Sequence, residues 1–70
     1  MEIYHTRYGW LIASERDGQY QASLTPRAAR ETGCHTAFAR TVEQLASHPG
    51  VQCYAREDGA RRRLRALGAL

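Results

Sequence analysis

The sequence contains no lysine and no asparagine, and large aliphatic side chains are scarce in it. Leu, Ile, Val and Phe together supply eleven of 70 residues, whereas alanine alone supplies another eleven. A chain this short buries only about 60% of its unfolded surface. The composition therefore predicts one small domain, residues 1–70, with a thin core that a homodimer or a larger partner completes. The length excludes an enzyme with its own cofactor domain.

Long apolar runs and multiple cysteines are also missing. No segment approaches the roughly 18 apolar residues of a membrane span, and Met1 to His5 lack the pattern of a secretory signal. The two cysteines, Cys34 and Cys53, are too few for the disulfide framework of a small secreted domain. We therefore expect a cytoplasmic protein that does not contact membranes.

All ten basic residues are arginine, and they are unevenly placed. Residues 1–50 contain five arginines and five acidic residues, which cancel, whereas residues 51–70 contain five arginines and two acidic residues. The net charge of +3 therefore comes from the last twenty residues. This asymmetry predicts a basic face or tail near the C-terminus.

The first part of the chain predicts a β-hairpin. Residues 19–24 alternate between apolar and polar side chains, residues 10–15 form another apolar segment, and Asp17-Gly18 lies between them. Asp-Gly between two such segments is a strong hairpin signal, because both positions tolerate positive φ. The segment from Ile3 to Tyr8 is either an additional leading strand or a lead-in to the first one.

Two helices are expected after the hairpin. Thr25 and Pro26 resemble an N-cap followed by a proline at the first helical position, and Gly33 would end that helix, although a loop is the alternative. A second, longer helix is predicted by a single apolar stripe. Its members are Cys34, Phe38, Thr41, Val42 and Leu45.

The C-terminal segment allows two interpretations. Val51, Cys53 and Ala55 alternate as in a strand, and Asp58-Gly59 then favours a turn into an antiparallel strand over residues 60–67. The alternative is a helix that aligns Ala60, Leu64 and Leu67. With the strand, the predicted fold class is α+β: a small single domain whose antiparallel sheet, built from two β-hairpins, packs on one main helix.

The arginine run is the main candidate for a binding site. Guanidinium groups bind carboxylates and phosphates bidentately, so we expect this segment to contact an acidic protein partner or nucleic acid. Its alternative role is a solvated edge that prevents strand aggregation. Aromatic side chains near arginine are common in tight protein interfaces, and a thin core leaves such rings partly exposed. The alternative role of Trp10 and of the tyrosines near the N-terminus is packing in the core and on the face of the sheet. The predicted partner-binding residues are Arg56, Arg61, Arg62, Arg63, Arg65, Tyr54 and Trp10.

Residue patterns typical of catalysis or metal binding are not found in the sequence. The histidines and cysteines lack zinc-ligand spacing. Cys34 and His35 are adjacent and lack an orienting acid for nucleophilic catalysis, and the glycines form no phosphate-binding loop. We therefore predict no metal, no cofactor and no enzymatic activity.

One stretch resembles a known family. Gly33-Cys34-His35-Thr36, followed by residues 41–46, is similar to a segment of HicB-like antitoxins, in which an Asp-Gly hairpin precedes a Gly-Cys-hydroxyl segment and a Thr-x-Glu helix start. The resemblance covers residues 10–47. The chain departs from the family in residues 26–32, in one inserted residue before Thr41, and in lacking the family's DNA-binding appendage. The resemblance implies a protein that covers a toxin's active surface.

The predicted function follows from size and surface chemistry. Small single-domain proteins of this class, among them anti-CRISPR proteins, resemble this chain in size and layout and act as inhibitors encoded by phages and plasmids. We expect a non-enzymatic binding protein that inhibits a larger protein or ribonucleoprotein by steric masking. The alternative is a small nucleic-acid-binding protein that uses its arginines on phosphates.

Overall fold

The computed structural model describes residues 1–69 of the chain, which form five strands and three helices. In chain order these elements are β1 (Glu2–Thr6), β2 (Gly9–Arg16), β3 (Gln19–Ser23), α1 (Pro26–Thr32), β4 (Thr36–Ala39), α2 (Val42–Ala46), β5 (Cys53–Tyr54) and α3 (Glu57–Ala66). All the strands pair antiparallel in one sheet. The α+β class and the antiparallel sheet are thereby confirmed.

The sheet is organised around β2, its longest strand. The strand order is β1-β2-β3-β4, and β5 pairs with β2 through Trp10–Tyr54 and Leu11–Cys53. The predicted hairpin joins β2 to β3, with Arg16 opposite Gln19. Its turn residues both have positive φ, 53° at Asp17 and 78° at Gly18, as a two-residue type I′ turn requires.

The predicted leading strand is present as β1, and its turn into β2 depends on a glycine. The Thr6 hydroxyl closes this turn by accepting from the Tyr8 N–H and donating to the Gly9 carbonyl. Gly9 has a φ of 119°, and a Cβ on it would lie 2.7 Å from the carbonyl oxygen of Tyr54. Because a side chain does not fit there, Gly9 allows β5 to approach β2.

One face of the sheet packs on α2 and forms the main core. Its buried residues are Leu11, Ala13, Ala22, Ala37, Leu45, Ala46 and Val51. Of these, Leu11 and Leu45 are the largest fully buried side chains. Four of these seven residues are alanines, which allow the helix to lie close to the sheet. The core is as thin as the alanine-rich composition predicts.

The opposite face of the sheet carries α3. Tyr54 and Trp10 pair directly, one residue away from the Cys53–Leu11 pair that belongs to the core face. Since side chains alternate along a strand, Tyr54 and Trp10 point to the other side. There α3 contacts β1, β2 and β5 and buries Ala60 and Leu64. The sheet is therefore sandwiched between α2 and α3.

The short helix α1 begins and ends as predicted. Thr25 caps it, its hydroxyl accepting from the Ala28 N–H at 3.1 Å, and Pro26 follows at the first position. Gly33 ends it with a φ of 76°, the left-handed conformation that glycine adopts without a steric penalty. This helix buries no residue and lies on the surface.

The predicted long helix through residues 34–45 was wrong in its first half. Residues 36–39 form β4, in which Ala37 and Ala39 pair with Ala22 and Tyr20 of β3. The helix begins only after Thr41, whose hydroxyl accepts from the Gln44 N–H while the Gln44 side chain accepts from the Thr41 N–H. This reciprocal cap is a specific helix start, so the apparent stripe spanned two elements.

The predicted second hairpin was also wrong, because residues 57–66 are helical. Asp58 and Gly59 lie in the first turn of α3 rather than in a β-turn. A helix is favoured because it buries Ala60 and Leu64 together, and because it places Glu57 and Asp58 at the positive end of the helix dipole and Arg63 and Arg65 at the negative end.

Candidate partner-binding surface

Four of the five predicted arginines lie on α3 and are therefore not aligned as they would be on a strand, whereas Arg56 is the residue that precedes the helix. Successive residues of a helix are rotated by about 100°. Arg61 and Arg65 share one side of α3, whereas Arg62 and Arg63 lie progressively around the helix. All four are exposed. The expected single row of guanidinium groups is replaced by a broad basic surface.

Two of the five candidate arginines form ion pairs within the chain. Arg61 forms an ion pair with Glu57 one turn earlier, with Nη2 and Oε1 2.7 Å apart. Arg56 contacts Asp58 at 3.4 Å. Among the described residues, Arg62, Arg63 and Arg65 form no salt bridge. These three carry the charge that is available to a partner.

The two aromatic candidates lie side by side, partly buried at the base of α3. Trp10 is the cross-strand neighbour of Tyr54 and stacks on His5, with ring centroids 4.3 Å apart. Tyr54 lies beside Gly59 in the first turn of α3. The structure therefore brings Trp10 and Tyr54 together, on the face of the sheet that carries α3.

Tyr54 separates two depressions in the surface. A shallow one of about 440 Å³ is lined by Tyr54, Arg56, Asp58 and Arg62, together with Ala55 and Gly59. A second depression, of about 570 Å³, runs between α3 and the uncovered part of the sheet. We call this second depression the groove.

The groove combines one arginine with small polar and apolar side chains. From α3 it is lined by Arg63 and Leu67, and from the sheet by Ile12, Ser14, Gln21, Ser23, Thr36 and Tyr54, with Met1 at its border. Its lining residues include no aspartate or glutamate. Arg63 is therefore the only ionic side chain among the described residues that line it, and it sets a positive potential there.

Large exposed hydrophobic residues gather around this groove. Met1 and Leu67 line it and are 58% and 46% exposed. Phe38 is 64% exposed and pairs with Gln21, a lining residue, so it projects from the same face of the sheet. Exposed apolar side chains that cluster in this way mark interaction sites.

Phe38 was misplaced by the sequence prediction, which assigned it to a buried helical stripe. In β4 the alternation of residues 36–39 buries Ala37 and leaves Phe38 exposed. That alternation was a readable signal, but it spans only four residues and competes with the helical spacing. Leu67 belonged to the stripe of Ala60 and Leu64 in the helical alternative, but it is exposed, and Met1 carries no signal of its own in the sequence.

The cysteines and acidic groups do not form a reactive cluster. Cys34 is exposed, and both cysteines are free thiols. Burial raises the pKa of the Cys53 thiol, which lowers its thiolate fraction and its nucleophilicity at neutral pH. Within residues 1–69, no group of three or more His, Cys, Asp or Glu side chains is placed to hold a metal ion.

No protein-family model, curated protein or solved structure matches this chain. The resemblance of residues 10–47 to HicB-like antitoxins stays a prediction. No helix in the described part of the chain is long and apolar enough to cross a membrane.

Proposed function

We propose that this protein is a small non-enzymatic binding module that masks an acidic surface of a larger cytoplasmic protein. The observation that carries the proposal is the groove, where the exposed Met1 and Leu67 lie beside an arginine that forms no salt bridge among the described residues, and where Phe38 projects from the neighbouring strand. Arginine and large apolar groups are the residues that dominate binding energy in protein interfaces.

The arginines of α3 contribute to binding in different ways, according to their position. Arg63 lies in the groove, where a bound partner would remove water from its guanidinium group and strengthen its pairing with a carboxylate. Arg62 and Arg65 lie outside the groove and are exposed, so they act mainly by accelerating encounter with an acidic partner. Trp10 and Tyr54 lie on the same face of the sheet as α3, and Tyr54 lies beside Gly59 in its first turn.

Steric masking suits the dimensions of the molecule. The domain measures 28 × 26 × 24 Å, which is large enough to cover a standard interface of about 800 Å² on its partner. The proposal includes an inhibitor encoded by a mobile element, of the anti-CRISPR or antitoxin type, as the biological class in which such masking proteins act.

Affinity capture with matched charge variants tests this function. The tagged protein is used to capture partners from a host lysate, with and without nuclease, and captured proteins are identified by mass spectrometry. We expect one protein at stoichiometric level in both samples. The variant Arg62→Glu/Arg63→Glu should lose it, whereas Arg16→Glu/Arg27→Glu, with the same net charge, should retain it.

Two results would refute the masking function. One is the loss of all captured protein after nuclease treatment. The other is equal loss in both double variants, because net charge rather than the α3 surface would then determine binding. Arg16 and Arg27 are suitable controls because each pairs with an acidic neighbour, Asp17 or Glu31, on an exposed surface outside the groove.

A second candidate function, nucleic-acid binding, is favoured by the shallow depression on the other side of Tyr54. There the Tyr54 ring lies near Arg62 and Arg56, a combination that suits base stacking beside phosphate contacts. The ion pair between Arg56 and Asp58 weakens this site. Duplex binding would show a slope of log K against log[salt] of about −0.9 per neutralised phosphate, and a flat salt response would exclude it.

A further inference from the structure

The sheet face that carries α3 is only half covered. The helix contacts β1, β2 and β5, whereas the same face of β3 and β4 presents Gln21, Ser23, Thr36 and Phe38 beside the groove. On the other side of the sheet, α2 contacts β1, β2, β3 and β4. The uncovered half therefore has room for another element beside α3.

The chemistry of the groove specifies an acidic occupant. Arg63 is the only ionic side chain among the described residues that line it, and none of those residues is an aspartate or a glutamate. A second copy of this chain is a poor occupant, because it carries a net charge of +3 and would bring further arginines towards Arg63. A partner with carboxylates next to apolar side chains matches both Arg63 and the surrounding Phe38, Leu67 and Met1.

The shape of the groove specifies a helix. A strand lying flat on a sheet face leaves its backbone N–H and C=O groups without partners, whereas a helix satisfies them internally. Helices pack about 8–10 Å apart, so a helix on β3 and β4 would touch α3 along the side that carries Arg63 and Leu67. About ten residues, the length of α3, would span the sheet.

We propose that the groove binds an acidic amphipathic helix of the partner protein, which packs beside α3 on β3 and β4. Its apolar stripe contacts Phe38, Leu67 and Met1, and a carboxylate one turn away pairs with Arg63. This proposal rests on the masking function and identifies the part of the partner that is masked.

A synthetic peptide provides the test. The probe is a helical peptide of about 14 residues, built from alanine with a leucine stripe flanked by glutamates, and it is titrated into the ¹⁵N-labelled full chain. Matched peptides carry glutamine or lysine in place of glutamate. We expect shift changes at Ser14, Gln21, Ser23 and Phe38 with the glutamate peptide, and at least about tenfold weaker binding of the other two.

Two single variants assign the contact. Arg63→Glu should weaken binding of the glutamate peptide at least about tenfold and should favour the lysine peptide, a reversal that misfolding would not produce. Arg16→Glu, which removes the same charge from the hairpin turn, should leave both affinities unchanged. Phe38→Ser should weaken all three peptides equally, because it removes an apolar contact.

Several outcomes would overturn the helix proposal. In the peptide titration, these outcomes are the absence of shift changes in the groove, equal binding of the glutamate and lysine peptides, or shift changes confined to the free edge of β4. Two other measurements would also overturn it: sedimentation that shows a second copy of the chain in the groove, and a single-stranded oligonucleotide that competes more strongly than the peptide. If a partner is captured but its binding survives Arg63→Glu, the helix proposal fails while masking stands. If no partner protein is captured, the masking function is refuted independently of the peptide experiment.

Discussion

Gly9→Ala should destabilise the fold far more than other substitutions of left-handed glycines. With a φ of 119°, Gly9 lies in a region that costs an L-residue about 1–2 kcal/mol. In addition, the new Cβ would lie 2.7 Å from the Tyr54 carbonyl oxygen, well inside van der Waals contact. Relieving that overlap requires β5 to move away from β2.

The magnitude follows from what β5 contributes. Moving it weakens the short ladder at Trp10–Tyr54 and Leu11–Cys53, in which each backbone hydrogen bond contributes about 1 kcal/mol net. Together with the φ cost, we expect a loss of about 3–5 kcal/mol. A chain of this length has a total stability of only about 4–10 kcal/mol, so the variant should lose a large fraction of its stability and unfold at a markedly lower urea concentration.

The controls are Gly18→Ala and Gly33→Ala. Both glycines have positive φ, 78° and 76°, and neither Cβ would meet another atom within 4 Å. Each should cost only about 1 kcal/mol. Urea unfolding followed by circular dichroism and Trp10 fluorescence measures all three variants. If Gly9→Ala costs no more than Gly18→Ala, the close contact between the β1–β2 turn and β5 does not constrain the fold.

Three further perturbations probe the helices and the core thiol. Gly59→Ala should stabilise the protein by about 0.5–1 kcal/mol in urea unfolding, because glycine is a poor helix former and the new Cβ would lie an ordinary 3.8 Å from Tyr54. Thr41→Ala should cost about 1 kcal/mol in the same assay, since it removes the hydroxyl that accepts from Gln44. Burial raises the pKa of the Cys53 thiol above its ordinary value of 9.0. The contribution of the neutral Cys53 thiol to the free energy of unfolding is therefore complete below pH 9.0 and is lost as the pH rises through the pKa of this thiol in the folded protein. Cys53→Ala should remove the part of the alkaline stability loss that this thiol causes, and a pH profile of stability identical to that of the unsubstituted protein would contradict this prediction.

The parts of the fold that the sequence predicted are those encoded by local chemistry. The β2–β3 hairpin requires two residues that tolerate positive φ, and Asp17-Gly18 provides them. Helix α1 requires a side-chain cap and a left-handed end, and Thr25 and Gly33 provide these. Each signal acts within a few residues, so it is readable without knowledge of the tertiary structure.

The errors occurred where tertiary pairing decides between two local patterns. Residues 36–39 are a strand because β3 offers an unpaired edge to Ala37 and Ala39, a fact that no local pattern contains. The segment after Tyr54 is a helix because the second face of the sheet needs Ala60 and Leu64 to cover it. The Asp-Gly pair that indicated a turn at Asp17 is therefore compatible with a helix start at Asp58.

The helical state of residues 57–66 changes the meaning of the arginine run. On a strand, alternate arginines would form one row of equal charges, which suits a phosphate backbone. On α3, Glu57 pairs with Arg61, while Arg63 lines a groove whose described lining residues include no aspartate or glutamate. Because the exposed Phe38 and Leu67 border that same groove, charge and apolar surface coincide at one place. That coincidence favours a protein partner over duplex nucleic acid, since the outer surface of a duplex is a phosphate backbone that offers no apolar group to contact Phe38.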